Sequence, residues 1–293
     1  MKYVKYLLKL FFEICWRVQI YYFKPSCDIC HNKRYKIRNA YNRLFLECDV
    51  CNLVVCRDLP YFIQDIGMGR YGMIDGEPSG GSFDHYLSKY ASTNFNSEQI
   101  VIFGAGVTLA PIQLKLLNIS VSICDVSKQT RNYWYKKGFK AFNSLNSNLN
   151  ADAIIACEVI EHFNKPRLQI INLLESVGKD GVICGTSDFF NGSDIYEGEN
   201  KIGYMSWKGH NTYWNQMSLR YLLDDTGYEL VTFKAICPGE FVKFPLDDEL
   251  HPNKTFFFIT KNKKYMELLN AEKEKNKTLP FDSRVYESEN YIR

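Results

Sequence analysis

Apolar and polar positions alternate along the middle of the chain in a repeated strand–helix pattern. An apolar run at 100–103 ends in Gly-Ala-Gly, and a segment with helical periodicity follows at 107–117. A second apolar run at 120–124 ends at an acidic residue, and a third at 151–157 precedes a helical segment at 165–177. Short apolar runs that alternate with helical segments predict βαβ units and a parallel sheet. The expected fold class is therefore α/β, with a doubly wound, mostly parallel sheet.

The turn after the first of these strands is typical of a nucleoside site. Gly104 and Gly106 allow the backbone to approach a ligand closely, and Asp125 at the end of the second strand can accept hydrogen bonds from both ribose hydroxyls. The third glycine of the dinucleotide fingerprint would fall at Leu109, so that fingerprint is incomplete. The alternative is an ordinary strand–turn–helix of an α/β core. The residues expected around the nucleoside and the rest of the cofactor are Phe103, Gly104, Ala105, Gly106, Asp125, Val126, Asn143, Ser144, Cys157 and Glu158.

The segment after the strand at 151–157 makes this interpretation more specific. It contains Glu158-Val-Ile-Glu161-His162. Together with Phe-Gly-Ala-Gly and Asp125, this segment resembles the class I S-adenosylmethionine-dependent methyltransferases over roughly residues 85–260. The resemblance implies a Rossmann-like sheet, S-adenosylmethionine as cofactor and methyl transfer as the reaction. Thr108 departs from the family, which often has another glycine there.

Two Cys-x-x-Cys pairs precede this core. They are Cys27 with Cys30 and Cys48 with Cys51. Four thiolates in two such pairs satisfy tetrahedral Zn²⁺, and since the protein fills every position the site should be structural. Redox-active or unligated thiols are the alternative. The pairs ahead of a methyltransferase core are similar to sugar methyltransferases of polysaccharide and deoxysugar pathways, which implies a nucleotide sugar or glycan unit as the acceptor.

The acceptor side is expected in the segment around 203–218. Its Gly-His-Asn-Thr-Tyr-Trp resembles the family's histidine-containing segment, although Gly209 stands where the closest sugar C-methyltransferases have a glutamate. A neutral histidine can remove a proton near pH 7. The sequence leaves open which histidine, if either, is the base, and whether oxygen, nitrogen or carbon is methylated. The candidate catalytic residues are His210, His162 and Glu161, and the candidate acceptor-binding residues are Tyr213 and Trp207.

Composition and the first residues bear on partners and location. The net charge of the 293-residue chain is only +3, so no nucleic-acid partner is expected. Ten cysteines, several of them in apolar runs, suit a reducing, cytoplasmic environment. Charged residues recur every three or four positions in Met1–Lys24, which predicts a helix with a wide apolar face and a basic edge. Such a helix docks on the protein's own core or a partner subunit, or lies peripherally on the inner membrane surface.

Two functions other than methyl transfer stay open. A NAD(P)-dependent reductase also uses a glycine turn followed by an acid. A non-catalytic methyltransferase-like scaffold with a zinc ribbon is favoured by Thr108 and Gly209. The sequence leaves the oligomeric state open.

The predicted organisation of the chain has five parts. They are an amphipathic helix (1–24), a zinc ribbon (25–58), a glycine-rich linker (59–81), a methyltransferase domain (82–262) and a charged C-terminal tail (263–293).

Overall fold

The structure is a computed structural model in which two units can be distinguished. It describes residues 11, 14, 15, 18, 25–41, 43–57, 73–74, 77–78, 82–106, 108–145, 149–190, 204–205, 209–235, 254–275 and 278–279. The first unit comprises Met1–Ile66, Glu161–Arg167 and Phe190–Leu222, and the second comprises Gly67–Ile160, Leu168–Phe189 and Leu223–Arg293. The division differs from the predicted domains, because two segments expected in the methyltransferase domain cluster with the expected ribbon.

The helices and strands follow the predicted alternation. In chain order they are β1 (Tyr35–Ala40), β2 (Arg43–Cys48), β3 (Val54–Cys56), β4 (Met73–Ile74), β5 (Glu77–Pro78), α1 (Ser82–Phe95), β6 (Gln99–Phe103), α2 (Ala110–Leu116), β7 (Ser120–Cys124), α3 (Lys128–Lys136), β8 (Lys140–Phe142), β9 (Ala151–Cys157), a 3₁₀ turn (Ile160–His162), α4 (Pro166–Ser176), β10 (Val177–Asp188), β11 (Thr212–Tyr213), α5 (Gln216–Leu223), β12 (Glu229–Ala235), β13 (Lys254–Thr260), α6 (Lys263–Lys275) and β14 (Thr278–Leu279).

The second unit is built on one large sheet. In the described part of the chain its strand order is β14-β12-β13-β10-β9-β6-β7-β8. The strands from β10 to β8 are parallel to their neighbours, whereas β13 is antiparallel to both β10 and β12. This confirms the predicted α/β class and is consistent with the class I methyltransferase fold. The strand order reverses between β6 and β9, and doubly wound sheets bind ligands at the carboxyl ends of strands at such a point.

The core of the second unit explains why its central strands are so apolar. Both faces of a parallel sheet are covered, so its strands are near-continuous apolar runs rather than alternating ones. Ile154 and Ile155 in β9, which are consecutive and therefore point to opposite faces, are both buried.

Helix α6 occupies the start of the predicted charged tail (263–293). Met266 and Leu269, three positions apart on one helical face, are buried in the same cluster as Phe256 and Phe258 of β13. The alternation of Lys and Glu in this helix therefore belongs to its outer face. Residues 276–277 and 280–293 lie outside the described residues.

The first unit contains a four-stranded antiparallel sheet. Its order is β1-β2-β3-β11, with Thr212 opposite Val55 and Tyr213 opposite Val54. The fourth strand therefore comes from the predicted acceptor segment, far along the chain from the other three. All six residues of β2 are buried.

Two predicted segments are only partly within the described residues. In Met1–Lys24, Phe11, Ile14, Cys15 and Val18 are helical and exposed, and what this helix contacts stays a prediction. In the glycine-rich segment, β4 and β5 pair as an antiparallel two-stranded sheet. Within the described ranges, none of the helices has the length and apolar character that crossing a bilayer requires.

Candidate functional site

The glycine turn after β6 has two glycines with different roles. Both have left-handed backbone conformations, with φ of +71° at Gly104 and +53° at Gly106, which favour glycine. A Cβ on Gly104 would lie 2.5 Å from Cγ2 of Val159, just after β9. A Cβ on Gly106 would meet no described residue within 4 Å. Gly104 therefore permits close packing inside the protein, whereas the described residues leave the space beside Gly106 open.

Asp125 fixes this turn. Its Oδ2 accepts a hydrogen bond from the backbone N–H of Gly106 at 2.9 Å, and its Oδ1 accepts one from Ser127 at 2.7 Å. The side chain is only 3% exposed, and burial raises the pKa of this carboxyl while the two backbone hydrogen bonds oppose that shift. The sequence predicted that Asp125 accepts hydrogen bonds from the ribose hydroxyls. The structure adds that it also orders the glycine turn.

Two side chains of α3 hold the glycine turn and the loop that follows β7. Trp134 Nε1 donates to the carbonyl of Gly106 at 2.8 Å, and Arg131 Nη1 donates to the carbonyls of Asp125 and Val126 at 2.7 and 2.8 Å. Val126 itself is 72% exposed. Such an apolar side chain beside a buried acid offers surface for a planar ring.

The other predicted cofactor residues lie at the carboxyl ends of four adjacent strands. Asn143 and Ser144, after β8, are exposed, and the hydroxyl of Ser144 donates to Asn143 at 3.4 Å. The backbone N–H of Asp125 donates to the carbonyl of Phe142, which ties the end of β7 to the end of β8. The residues at the ends of β6 and β9 are Phe103, Cys157 and Glu158, with Ala105 buried inside the glycine turn.

A buried lysine, which the sequence did not reveal, adds a charged group at the same edge of this sheet. Lys254, 5% exposed at the start of β13, pairs with Glu158 and lies 2.9 Å from Oδ1 of Asp188. The Thr186 hydroxyl donates to Oε1 of Glu158 at 2.8 Å. Asp188 and Lys254 meet because β10 and β13 pair with these two residues in register. That register is a long-range property, so the sequence alone offered no signal for the pair.

Asp84 on α1 adds a carboxyl that titrates near neutrality. Burial raises its pKa to about 7, with the charge of Glu158 acting in the same direction and a hydrogen bond with Cys157 opposing it. Burial also raises the pKa of the Cys157 thiol well above its usual value. The thiol is therefore neutral at physiological pH, whereas Asp84 is divided between its two protonation states.

In the first unit, the structure brings together the three predicted catalytic residues. One ligand atom each from Glu161, His162 and His210 lies within 4.8 Å of the other two. The two imidazole centroids are 5.0 Å apart. Glu161 and His210 are buried and His162 is partly buried. We call these three residues the His–Glu cluster.

Of the two residues predicted to bind the acceptor, Tyr213 lies within the described residues. Tyr213 was predicted to contact the acceptor, but it is 1% exposed, and its hydroxyl accepts a hydrogen bond from Arg43 at 3.0 Å. It packs with Phe45 in the core of the first unit, and its contact with an acceptor stays a prediction. The pattern did not reveal this because a buried tyrosine and an acceptor-binding one look alike in sequence. Trp207 lies outside the described residues.

The four cysteines of the two pairs form one cluster in the first unit. The Sγ atoms of Cys27 and Cys51 are 3.6 Å apart, those of Cys30 and Cys48 are 3.3 Å apart, and all four lie within 4.8 Å of one another. Sulfurs about 3.8 Å apart are what tetrahedral Zn²⁺ with bonds near 2.3 Å requires. Burial raises the pKa of Cys48 to about 11, so this thiol stays protonated at neutral pH unless a metal ion binds it.

The chain was compared with known proteins. No protein-family model and no curated protein matches it. Among solved structures, it is similar to the plantazolicin methyltransferase BamL in complex with a triazolic desmethylPZN analog and SAH, with a TM-score of 0.44 and 16% identity over 62% of this chain and 84% of that one.

Two further likenesses are of the same size. One is the methyltransferase domain of bacterial CtHen1, with a TM-score of 0.44 and 15% identity over 61% of this chain and 98% of that one. The other is a possible histamine N-methyltransferase from Thermotoga maritima, with a TM-score of 0.41 and 17% identity over 61% and 89%. Likenesses at such scores and identities assign no activity, substrate or partner to this chain.

Proposed function

We propose that the chain is an S-adenosylmethionine-dependent methyltransferase whose cofactor binds at the carboxyl ends of β6, β7 and β9. The observation that supports this most directly is the turn at Gly104 and Gly106, whose second glycine is hydrogen-bonded to Asp125 where the strand order reverses. This is the position at which doubly wound sheets hold nucleosides. The open space at Gly106 leaves room for a ligand against the backbone.

The residues around this turn fit the parts of the cofactor. Each carboxylate oxygen of Asp125 that accepts a backbone N–H keeps a second lone pair, which suits a ribose hydroxyl. The exposed Val126 suits the face of the adenine ring, and the exposed Asn143 suits its polar edge. Cys157 and Glu158, at the end of β9, would lie on the methionine side. When bound, the cofactor supplies an activated methyl group, so the protein's tasks are alignment and the removal of a proton.

The acceptor that we propose is a small hydroxyl-bearing molecule, specifically a nucleotide sugar or a glycan unit. A net charge of only +3 provides little attraction for a nucleic-acid backbone. Two Cys-x-x-Cys pairs ahead of a methyltransferase-like core in one chain are the combination that resembles the sugar methyltransferases. We expect from the sequence that either His162 or His210 is the base that removes the acceptor's proton.

For the four-cysteine cluster we propose a structural Zn²⁺ ion. Its support is the spacing of the four sulfurs and the burial of Cys27, Cys48 and Cys51, which together favour a closed tetrahedral site. The tight turns help to set this geometry, since the Asn52 N–H donates to the carbonyl of Cys48 and the His31 N–H donates to that of Cys27.

Calorimetry with Asp125→Ala tests the proposed cofactor site. Hydrogen bonds to a charged group contribute about 1.5–3 kcal/mol each, so the loss of even one should weaken S-adenosylmethionine binding by about tenfold or more. Asp152→Ala is the matched control. Asp152 also accepts two backbone N–H groups, from Glu98 and Gln99, but it lies at the amino end of β9. Unchanged affinity in a folded Asp125→Ala protein would contradict the proposed site.

Titration with NADPH and an assay of methyl transfer separate the two rival functions. Binding of NADPH but not of S-adenosylmethionine would favour the reductase, which needs the same turn and acid. Binding of S-adenosylmethionine without methyl transfer to any nucleotide sugar or other hydroxyl acceptor would favour the non-catalytic scaffold.

A further inference from the structure

The His–Glu cluster has the composition and compactness of a metal centre. It combines two imidazoles and one carboxylate, and its three ligand atoms lie within 4.8 Å of one another. All three residues belong to the first unit, whereas the turn and acid of the proposed cofactor site belong to the second. We propose that Glu161 and the Nε2 atoms of His162 and His210 form a binding site for a divalent metal ion.

The backbone orients both rings for this role. Nδ1 of His162 lies 2.9 Å from the carbonyl of Gly209, and Nδ1 of His210 lies 2.9 Å from the carbonyl of Tyr204. A carbonyl only accepts hydrogen bonds, so each Nδ1 must be the protonated nitrogen. In a neutral ring the lone pair is then on Nε2. A backbone carbonyl on the second ring nitrogen is also what fixes metal-binding histidines in proteins.

The two chain segments that contribute the ligands are joined by their own hydrogen bonds. The backbone N–H of Asn211 donates to the carbonyl of Glu161 at 2.8 Å, and the Thr212 hydroxyl donates to the carbonyl of Phe163 at 2.6 Å. The carbonyl of Asn211 also accepts from the backbone N–H of Cys56 in β3 at 2.8 Å. The spacing of the ligands is therefore set before any ion binds, which reduces the ordering cost of binding.

The donor set indicates the class of ion. Two imidazoles and one carboxylate suit divalent first-row metals such as Mn²⁺, Fe²⁺ or Zn²⁺, and three protein ligands leave positions open for water or for an acceptor oxygen. A histidine whose Nε2 coordinates a metal cannot also take a proton from the acceptor. The metal site and the base role of these histidines are therefore competing assignments.

Electron paramagnetic resonance of Mn²⁺ distinguishes them without any activity measurement. The 293-residue chain, freed of metal, is first given one equivalent of Zn²⁺, which the four cysteines take in preference to the His–Glu cluster because thiolates are soft ligands. Mn²⁺ is then titrated and the signal of the free ion is followed. We expect one saturable Mn²⁺ site per chain, and Glu161→Gln should weaken it by about tenfold or more.

Two further variants keep the result interpretable. His162→Gln changes a partly buried ligand and should weaken Mn²⁺ binding in the same way, which covers the case that Glu161→Gln does not fold. Glu175→Gln removes an exposed carboxylate on α4 and should bind Mn²⁺ like the wild type. Absence of a saturable site in the wild type, or unchanged binding in a folded Glu161→Gln or His162→Gln protein, would overturn the proposal. Binding of S-adenosylmethionine, measured on the same samples, reports separately on the proposed function.

Discussion

Gly104→Ala should destabilise the protein through two effects that can be measured separately. The first is the backbone, since φ at Gly104 is +71°, where an L-residue costs about 1–2 kcal/mol. The second is steric, since the new Cβ would lie 2.5 Å from Cγ2 and 3.2 Å from Cγ1 of Val159. Carbon atoms pack best about 3.5–4.0 Å apart, so one group must move by about 1 Å, and overpacking of this kind costs about 1–3 kcal/mol.

Gly106→Ala is the matched control, because φ there is +53° but no described residue lies within 4 Å of the new Cβ. It should lower the free energy of unfolding only by the backbone cost of about 1–2 kcal/mol. The net loss is smaller than this because alanine also reduces the conformational entropy of the unfolded chain. Under the proposed function it should nevertheless weaken S-adenosylmethionine binding by about tenfold, since its methyl group enters the space assigned to the ligand.

A double-mutant cycle with Val159→Ala isolates the steric part. Alone, Val159→Ala removes two methyl groups from a buried side chain, which costs about 1.6 kcal/mol at about 0.8 kcal/mol per group. With Gly104→Ala it also removes the overlap, so the double variant should be about 1–3 kcal/mol more stable than the sum of the single changes. The assay is urea unfolding of the four proteins by circular dichroism. Additivity within about 0.5 kcal/mol would refute the steric argument.

Two other predictions concern the four-cysteine cluster of the first unit and the carboxyl of Asp84 in the second. Cys48→Ser should reduce bound zinc from about one ion per chain to below about half and lower the thermal midpoint, whereas Cys15→Ser, a change at an exposed cysteine, should do neither; metal analysis of purified protein decides this. The folded pKa of Asp84 is raised from 3.8 to about 7, so its stabilising contribution is complete below pH 3.8 and is lost as pH rises through about 7. Asp84→Asn mimics the protonated acid and should therefore gain stability over the wild type as pH rises from 5 to 8, by about 2 kcal/mol after discounting partial exposure. If the difference in the free energy of unfolding between Asp84→Asn and the wild type, measured with urea, does not change with pH, this prediction is wrong.

The sequence predicted those features that are local in the chain. The order of strands and helices, the glycine turn and the grouping of two Cys-x-x-Cys pairs each depend on a short segment, whose apolar period or ligand spacing is visible directly. The close approach of His162 and His210 was also expected, because both were candidate bases for the same acceptor.

Features that depend on distant pairing were not predictable. The ion pairs of Lys254 exist only because β13 aligns it with Asp188, and no periodicity announces that register. Tyr213 was assigned to the acceptor because its polar and aromatic character suits a sugar, yet it packs with Phe45. In α6, the charges dominated the composition, and two apolar residues on one face were enough to bury the helix against the sheet's core.

The strand β11 has a consequence for how the first unit forms. Val54 and Val55 pair with Tyr213 and Thr212, and Arg43 bonds to Tyr213 across 170 positions of sequence. During synthesis β3 therefore emerges as an open sheet edge, and its partner strand follows only after most of the chain has been made. Closing so long a loop is slow relative to local pairing. Under the proposed zinc site, a bound Zn²⁺ ion would stabilise the segment from β1 to β3 until β11 has been synthesised and can pair with β3.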